Sequence, residues 1–402
     1  MKQRKAVTTG IVQRYHHANR PKKRQILEEY IELTKYHRKY ALGLLNGTQG
    51  ARKASGDYGK ERRGRPRIYT QSVLEALRFL WAMFNFMCGR RLAPAIRVNL
   101  MVLEKFRELR GLDALTRERL LRMSPATIDR LLVDDRKKLR LKGRSHTRPG
   151  SLRRDLIPIR TFGKEDQKEP GYVEVDLVAH DGGSSRGEFA QTLTLTDVDT
   201  GWTEVRGVRN KAKKWVFPAM KFLVSLLPFA LKGLNADNGG EFINVNLLNW
   251  CQDNHVAFTR SRPYRKNDNP YVEQKNNSVV RTAVGYMRYD TQEELRLLNQ
   301  IYAQTRLLIN FFYPSMKLKE KIRIGARVKK RYDVPKTPYQ RVLDSPYIEE
   351  QAKEKLRRQF AELNPAAITR ALASLQGQLM KKATLKQRLL DGDRGRALAA
   401  AG

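Results

Sequence analysis

The chain has 402 residues, which suggests two to four domains at roughly 100–200 residues each, and 41% of the residues are hydrophobic, enough to build folded cores. Its 79 Lys and Arg against 41 Asp and Glu leave a formal net charge of +38, so a polyanionic partner is expected. No apolar run approaches the ~18 residues of a membrane span, no apolar signal core follows the N-terminus, and only Cys88 and Cys251 occur, so we expect a cytoplasmic protein without a membrane partner or disulfide framework.

The first part of the chain is predicted to bind DNA through helices. Residues 1–150 hold 36 basic and 13 acidic side chains, a surplus suited to a nucleic-acid backbone. A helix from residue 22, a short turn and a second helix that begins near Arg38 and Lys39 predict a helix-turn-helix unit over residues 1–60. In that unit Arg38 and Lys39 would contact DNA. The alternative is an ordinary helical hairpin of a small bundle.

A second helical unit is predicted over residues 72–150. Residues 115–121 form one short helix, Ser124 is suited to cap the next helix, and a proline follows in its first turn. Thr127 and Arg130 would point outward to DNA, again with a helical hairpin as the alternative. The strongly apolar stretch 73–87 predicts a buried helix whose aromatic residues belong to a core.

An arginine-rich stretch over residues 61–71 joins these two units. Its proline-stiffened core contains Arg63, Arg65 and Arg67, and it resembles an AT-hook, which lies in a narrow minor groove. The equally weighted alternative is a solvated basic linker that contacts phosphates without preference.

The middle of the chain alternates between strand and helix patterns. Short β-branched or alternating runs predict five strands, and amphipathic runs predict helices between and after them. The predicted strands are 172–178, 189–197, 202–208, 231–236 and 256–259, and the predicted helices are 213–227, 245–253 and one from 271. This order predicts an α/β domain with a mixed five-stranded sheet and helices on both faces.

Three carboxylates occupy notable positions in this pattern. Asp176 lies within the first strand, Asp237 directly follows the fourth, and Glu273 lies in the first turn of the helix after 270. A charge inside a strand is strongly penalised unless a cation compensates it. Mg²⁺, with Mn²⁺ as a substitute, prefers such oxygen ligands, and two ions per site would suit an in-line displacement at phosphorus. Asn238 would orient a ligand from behind Asp237.

These residues carry a resemblance to a known family. Exactly 35 residues separate Asp237 from Glu273, the D-N-G-G-E-F string follows from Asp237, and the N-P-Y-V-E-Q-K-N string surrounds Glu273. Together with Asp176 they resemble the D,D-35-E signature of integrase-core insertion-sequence transposases and retroviral integrases, over about residues 165–315. The resemblance implies a ribonuclease H-like fold and a multidomain chain with helix-turn-helix units before the catalytic domain.

The resemblance also implies an activity. An enzyme of this family cleaves the 3′ ends of a transposon at its terminal inverted repeats and joins them to target DNA by strand transfer, as a homo-oligomer of at least two copies. A helper protein is a further partner that the sequence does not identify. Asp176, Asp237 and Glu273 would be both the catalytic and the metal-binding residues. The alternatives are an inactive DNA-binding regulator derived from a transposase and a ribonuclease H-like nuclease.

Other residues near the triad invite functional hypotheses. Lys266 and Lys275 would hold the DNA backbone near the metals, with a solvated face as the alternative for both. His180 is expected to be a local hydrogen-bonding residue rather than a general base. His16, His17 and His37 have no nearby cysteines, so the zinc module of retroviral integrases is not expected.

The C-terminal region, residues 316–402, is predicted to be basic and mostly helical. It would bind DNA or another subunit, and the pattern does not distinguish these two roles.

Overall fold

The computed structural model describes residues 2–47, 68–109, 111–138, 169–237, 239–242, 244–261, 270–324 and 327–400. Their contacts divide the chain into two compact units, Met1–Arg67 and Ile68–Gly402. Within the described ranges, no helix combines the length and the apolar character needed to cross a membrane.

The first unit consists of three helices in its described part. These are Lys2–His16, Arg20–Thr34 and Arg38–Leu45. The second and third helices are the predicted pair, whereas the first was not predicted because its apolar residues are sparse. A small core that includes Tyr15, Tyr30 and Leu45 joins all three helices. The DNA-binding role of the pair stays a prediction.

The second unit begins with five helices. They are Gln71–Met83, Gly89–Lys105, Ala114–Arg122, Pro125–Leu131 and Val133–Lys138. The predicted cap is confirmed, since the Ser124 hydroxyl accepts a hydrogen bond from the Thr127 backbone N–H at 3.2 Å. Trp81 and Phe84 are buried as expected, whereas Phe79 and Phe86 are exposed. Phe79 lies on the outer side of the Gln71–Met83 helix, and Phe86 follows the end of that helix.

The predicted mixed five-stranded sheet is confirmed. Its strands are β1 (Tyr172–Ala179), β2 (Gln191–Asp197), β3 (Thr203–Val208), β4 (Gly233–Ala236) and β5 (Ala257–Arg260). The spatial order is β3-β2-β1-β4-β5. The β1–β2 and β2–β3 pairs are antiparallel, and β4 and β5 join in parallel. The central strand β1 therefore has neighbours on both edges.

Helices cover both faces of this sheet. Lys213–Ser225 and Val245–Asp253 pack on one face against the odd-numbered residues Val173 and Val175 of β1. Gln292–Leu307 packs on the opposite face, with Val178 of β1 in the same apolar cluster. The even-numbered residues of β1 therefore point to the second face.

A buried polar row crosses that second face. The strand register aligns one polar residue from each of the five strands, and all five side chains are buried. In spatial order these are Thr203, Thr196, Glu174, Asn235 and Thr259. The Thr196 and Thr203 hydroxyls lie 3.3 Å apart, and the Thr259 hydroxyl donates to Asn235 Oδ1 at 3.1 Å. The row places the one carboxylate, Glu174, at its centre.

A broken helix follows the sheet. Pro270–Lys275 is α-helical, Asn276–Arg281 continues as a π-helical segment, and Thr282–Val284 ends the element. Such π-helical segments are rare and occur preferentially at functional sites. A second π-helical segment, Leu308–Phe312, extends the Gln292–Leu307 helix.

The C-terminal region contains a hairpin that was not predicted. Strands β6 (Leu318–Ile324) and β7 (Arg327–Tyr332) pair as an antiparallel two-stranded sheet. The hairpin was not predicted because lysine and arginine occupy most positions of the two strands and leave little apolar alternation. Helices follow over Pro338–Asp344, Glu350–Glu362 and Pro365–Ala400. The DNA-binding or subunit-binding role of this region stays a prediction.

One large apolar core links distant parts of the second unit. Leu80 and Leu100 of the front helices share it with Phe311, Tyr339 and Leu356. The sequence predicts separate units over residues 72–150 and 316–402. In the structure, described residues of both regions share this apolar core.

Candidate active site

Two of the three predicted carboxylates lie on adjacent strands. Val175 of β1 is aligned with Ala236 of β4 in the parallel register, and the next residue on each chain is Asp176 and Asp237. Neighbouring strands are about 4.8 Å apart, and aligned residues point to the same face. The register therefore places the Asp176 and Asp237 side chains next to each other at the end of β4.

The Asp176 carboxylate is held by two hydrogen bonds. Its Oδ1 accepts from the backbone N–H of Leu177 at 2.8 Å, and its Oδ2 accepts from the side-chain amide of Asn276 at 2.6 Å. Asn276 lies at the start of the π-helical segment after Glu273. Among the described residues, its own buried Oδ1 has no hydrogen-bond partner. Asn276 thus ties the broken helix to β1.

The pKa values show how unfavourable negative charge is here. Burial raises the pKa of Asp176 to about 7, helped by repulsion from Asp237 and Glu273 and opposed by its two hydrogen bonds. Burial also raises the pKa of Asp237, against the hydrogen bond that its carboxylate accepts from the Gly239 N–H. Among the described residues, no cation of the protein contributes to either shift, and this uncompensated charge is the electrostatic condition that a bound metal ion relieves.

A fourth carboxylate, Glu174, positions the helix that carries Glu273. Glu174 is 3% exposed, and its Oε2 accepts the backbone N–H groups of Tyr271 and Val272, each at 2.9 Å. These N–H groups belong to the first turn of the helix, where they have no partner within the helix. Burial raises the pKa of Glu174 to about 8, with further contributions from Glu273 and Asp176. Glu174 therefore anchors the start of this helix to β1.

The roles of Glu174 and Asn276 were not predicted from the sequence. The signal for Glu174 was its spacing of two from Asp176, which puts both side chains on one face of a strand. The signal for Asn276 was its spacing of three from Glu273, which puts both on one side of a helix.

Glu273 itself is exposed in the first turn of the Pro270–Lys275 helix. Its charge acts on Asp176 and on Glu174, so the three predicted residues belong to one electrostatic cluster. Within the described part of the chain, no group of three Asp, Glu, His or Cys side chains is arranged to hold a metal ion. The donor chemistry that fits a hard divalent cation is provided by the Asp176 and Asp237 pair.

His180 is a buried hydrogen-bonding residue, as predicted. It is fully buried, its Nε2 lies 2.6 Å from the Thr192 hydroxyl, and that hydroxyl lies 2.7 Å from the Tyr302 hydroxyl. Burial lowers the pKa of His180 to about 3, with a smaller effect of the nearby Arg281. A ring without solvent contact is unsuited to exchange protons with a substrate.

The predicted DNA-binding residues lie in several places. Arg38 and Lys39 are exposed at the start of the Arg38–Leu45 helix, and Arg38 Nη1 lies 3.8 Å from Glu28. Thr127 is partly buried beside Ser124, whereas Arg130 is exposed. Arg63, Arg65, Arg67, Asn238 and Lys266 lie outside the described residues.

Lys275 is partly buried rather than on a solvated face. Burial, together with repulsion from the nearby Arg91 and Arg341, lowers its pKa to about 8. The helix that carries Glu273 thus presents a lysine to a region already rich in positive charge.

Comparisons with known proteins give one strong match. No protein-family model matches the chain. The chain is similar in structure to the catalytic core domain of BIV integrase, with a TM-score of 0.30 and 16% identity, over 44% of this chain and 95% of that one. It is also similar to the HTLV-2 integrase catalytic core domain in complex with magnesium, with a TM-score of 0.29 and 14% identity, over 37% of this chain and 92% of that one.

The amino-acid sequence of the chain is 41% identical, over 341 aligned residues, to the uncharacterized protein y4rM of Sinorhizobium fredii (strain NBRC 101917 / NGR234). That match covers 85% of this chain and 95% of the relative. The chain therefore belongs to the same protein family as y4rM.

Proposed function

We propose that this protein is a DNA transposase of the integrase type, which cleaves transposon ends and joins them to target DNA with the help of divalent metal ions. The observation that carries the proposal is the placement of Asp176 beside Asp237, with the Glu273 helix tied to the same strand by Asn276. Neighbouring carboxylates that are partly buried, as these two are, are costly to a fold and favour a role in binding a cation.

The net charge of the chain supports DNA as the substrate. A formal charge of +38 favours a polyanion, and a binding protein without chemistry gains nothing from carboxylates that face a phosphate backbone. Since a transposon has two ends and the described part of each chain offers one candidate acidic cluster, at least two copies would act together on the two inverted repeats.

The residues divide the work of catalysis as follows. Asp176 and Asp237 would hold Mg²⁺ from the sheet, and Glu273 would complete the ligand set from the helix. Asn276 keeps the Asp176 carboxylate in one orientation, and Glu174 keeps the first turn of the helix on β1. When bound, the divalent ions supply activation of the attacking oxygen and stabilisation of the leaving oxygen at phosphorus.

The test uses the purified full chain and a labelled DNA fragment that carries any imperfect inverted repeats flanking its gene. The wild-type protein should cut at a repeat and join the 3′ end to a second DNA in Mg²⁺ or Mn²⁺. Asp176→Asn and Glu273→Gln should abolish both steps and keep DNA binding. Asp253→Asn, at an exposed aspartate that ends the Val245–Asp253 helix, is the matched control.

Two results would contradict the proposal. DNA binding without cleavage by the wild-type chain would favour a regulator derived from a transposase. Cleavage of RNA in RNA–DNA hybrids without end joining would favour a ribonuclease H-like nuclease.

A further inference from the structure

A groove of about 1070 Å³ opens beside the acidic cluster. Its lining includes Ala179 at the end of β1, Phe189 before β2, and Gly240 and Glu241 of the loop that follows Asp237. That loop is tied to the cluster, because the Gly239 N–H donates to Asp237 Oδ1 at 2.9 Å. The described lining does not include the three candidate carboxylates themselves, but Glu241 lies close enough to Asp237 that burial and the Asp237 charge together raise the pKa of Glu241. The groove is therefore a neighbour of the candidate active site.

One side of the groove is basic. Lys211, Lys213 and Lys214 are exposed there, and the last two open the Lys213–Ser225 helix. The acidic side chain of Glu188 in the same groove is engaged by others, since it lies 3.4 Å from Arg209 Nε and accepts from Asn210 Nδ2 at 3.1 Å. The second carboxylate of the lining, Glu241, lies close enough to Lys211 for the lysine charge to act on it. Lys213 and Lys214 are therefore the lysines most available to a negatively charged ligand, with Lys211 beside them.

The rest of the lining is largely apolar and contains one aromatic ring. Phe189 lies with the Arg288 guanidinium 5.4 Å from its ring centroid. The two Nη atoms of Arg288 donate to the backbone carbonyls of Ser184, Arg186 and Glu188 at 2.8–3.0 Å, so the segment before Phe189 is firmly held. An aromatic ring beside lysines matches the two features of single-stranded nucleic acid, an exposed base face and a phosphate backbone.

We propose that this groove binds an unpaired segment of the DNA substrate, with a base against Phe189 and phosphates on Lys211, Lys213 and Lys214. The inference rests on the proposed function, because it places that unpaired segment next to the carboxylates that act on DNA. A duplex offers phosphates to the lysines but keeps its bases stacked away from Phe189. The groove should therefore prefer a single strand over a duplex of the same length.

The test measures the affinity of the full chain for a fluorescent mixed-sequence 16-nucleotide DNA, as a single strand and as a duplex, over a range of salt concentrations. Phe189→Ala should weaken single-strand binding roughly 5- to 150-fold, the range for loss of one base–aromatic contact, and should leave duplex binding unchanged. A strand with 5-iodouracil should crosslink to Phe189 in the wild-type protein.

The lysines are tested with a triple variant, Lys211→Gln with Lys213→Gln and Lys214→Gln. Its matched control carries Lys138→Gln, Lys355→Gln and Lys381→Gln, three exposed lysines elsewhere. In a plot of the logarithm of the single-strand binding constant against the logarithm of the salt concentration, the groove variant should have a slope shallower by about 2, at ~0.7 per lost phosphate contact. The control variant should keep the wild-type slope. Equal losses in both variants, or a Phe189→Ala protein that binds both DNA forms like the wild type, would overturn the proposal.

The Asp176→Asn protein separates this inference from the proposed function. It should bind the single strand at least as tightly as the wild type, and should lose that binding when Phe189→Ala is added, if the groove acts as proposed. If the wild type shows no cleavage but Phe189→Ala still loses single-strand binding, the proposed function fails while the groove assignment holds.

Discussion

The side-chain amide of Asn276 donates a 2.6 Å hydrogen bond to Oδ2 of Asp176. This bond joins residues 100 positions apart in the chain, and it orients a carboxylate that repels its own neighbours. It is a contact of the kind that outer-shell residues make with metal ligands.

Asn276→Ala should weaken the divalent-metal response and the DNA cleavage activity about 10- to 100-fold, the usual range for loss of such a partner. The physical reason is that the Asp176 carboxylate would lose its fixed orientation. Metal titrations of the cleavage rate measure the effect. Asn277→Ala, at the exposed neighbouring position, is the control and should behave as the wild type.

Addition of Mg²⁺ should raise the melting temperature of the wild-type chain at pH 8. A ligand that binds only the folded state stabilises it by about 2.7 kcal/mol at 100 times its Kd. Asp176→Asn and Asp237→Asn should lose most of this rise, and Asp253→Asn should keep it. Scanning fluorimetry in MgCl₂ and in EDTA provides the measurement, and equal rises in all four proteins would place the metal elsewhere.

In EDTA, the stability of the chain should fall as the pH rises from about 5 to about 8. Burial raises the pKa of Glu174 to about 8 and that of Asp176 to about 7, from ordinary values of 4.5 and 3.8. The folded state therefore holds more protons than the unfolded state in this range, so stability decreases with increasing pH. Chemical unfolding at several pH values measures the slope.

Glu174→Gln is the matched variant for this slope. A neutral amide keeps an oxygen to accept the Tyr271 and Val272 N–H groups but carries no charge to bury. The variant should exceed the wild type in stability above pH 8 and match it below pH 4. A slope identical to that of the wild type would show that Glu174 does not titrate in this range.

Arg306→Met should lower the free energy of unfolding by about 3–5 kcal/mol, the usual cost of an uncompensated buried charge. Glu204 is fully buried, and both of its oxygens accept from Arg306, at 2.5 and 2.6 Å. The double variant with Glu204→Gln should recover much of the loss. Lys382→Met, which removes an exposed ion pair with Glu293, should cost less than about 1 kcal/mol.

The order of strands and helices over residues 172–307 was predictable because it depends on local periodicity. Alternation marks β1 to β3, and the 3.6-residue repeat marks the Lys213–Ser225 helix, without any knowledge of partners. The same local logic found the Ser124 cap. It failed for the β6–β7 hairpin, where charged side chains occupy the alternating positions.

The amino-acid sequence by itself determined which carboxylates are candidates. Asp176 lies within a predicted strand, Asp237 directly follows another, and Glu273 lies in a predicted helix 35 intervening residues after Asp237. Only the tertiary structure decided that the first two are neighbours, that Asn276 holds one of them and that Glu174 anchors the helix of the third. The reason is physical: a strand pattern specifies which side chains share a face, whereas the parallel register and the docking of a helix depend on contacts between residues far apart in the chain.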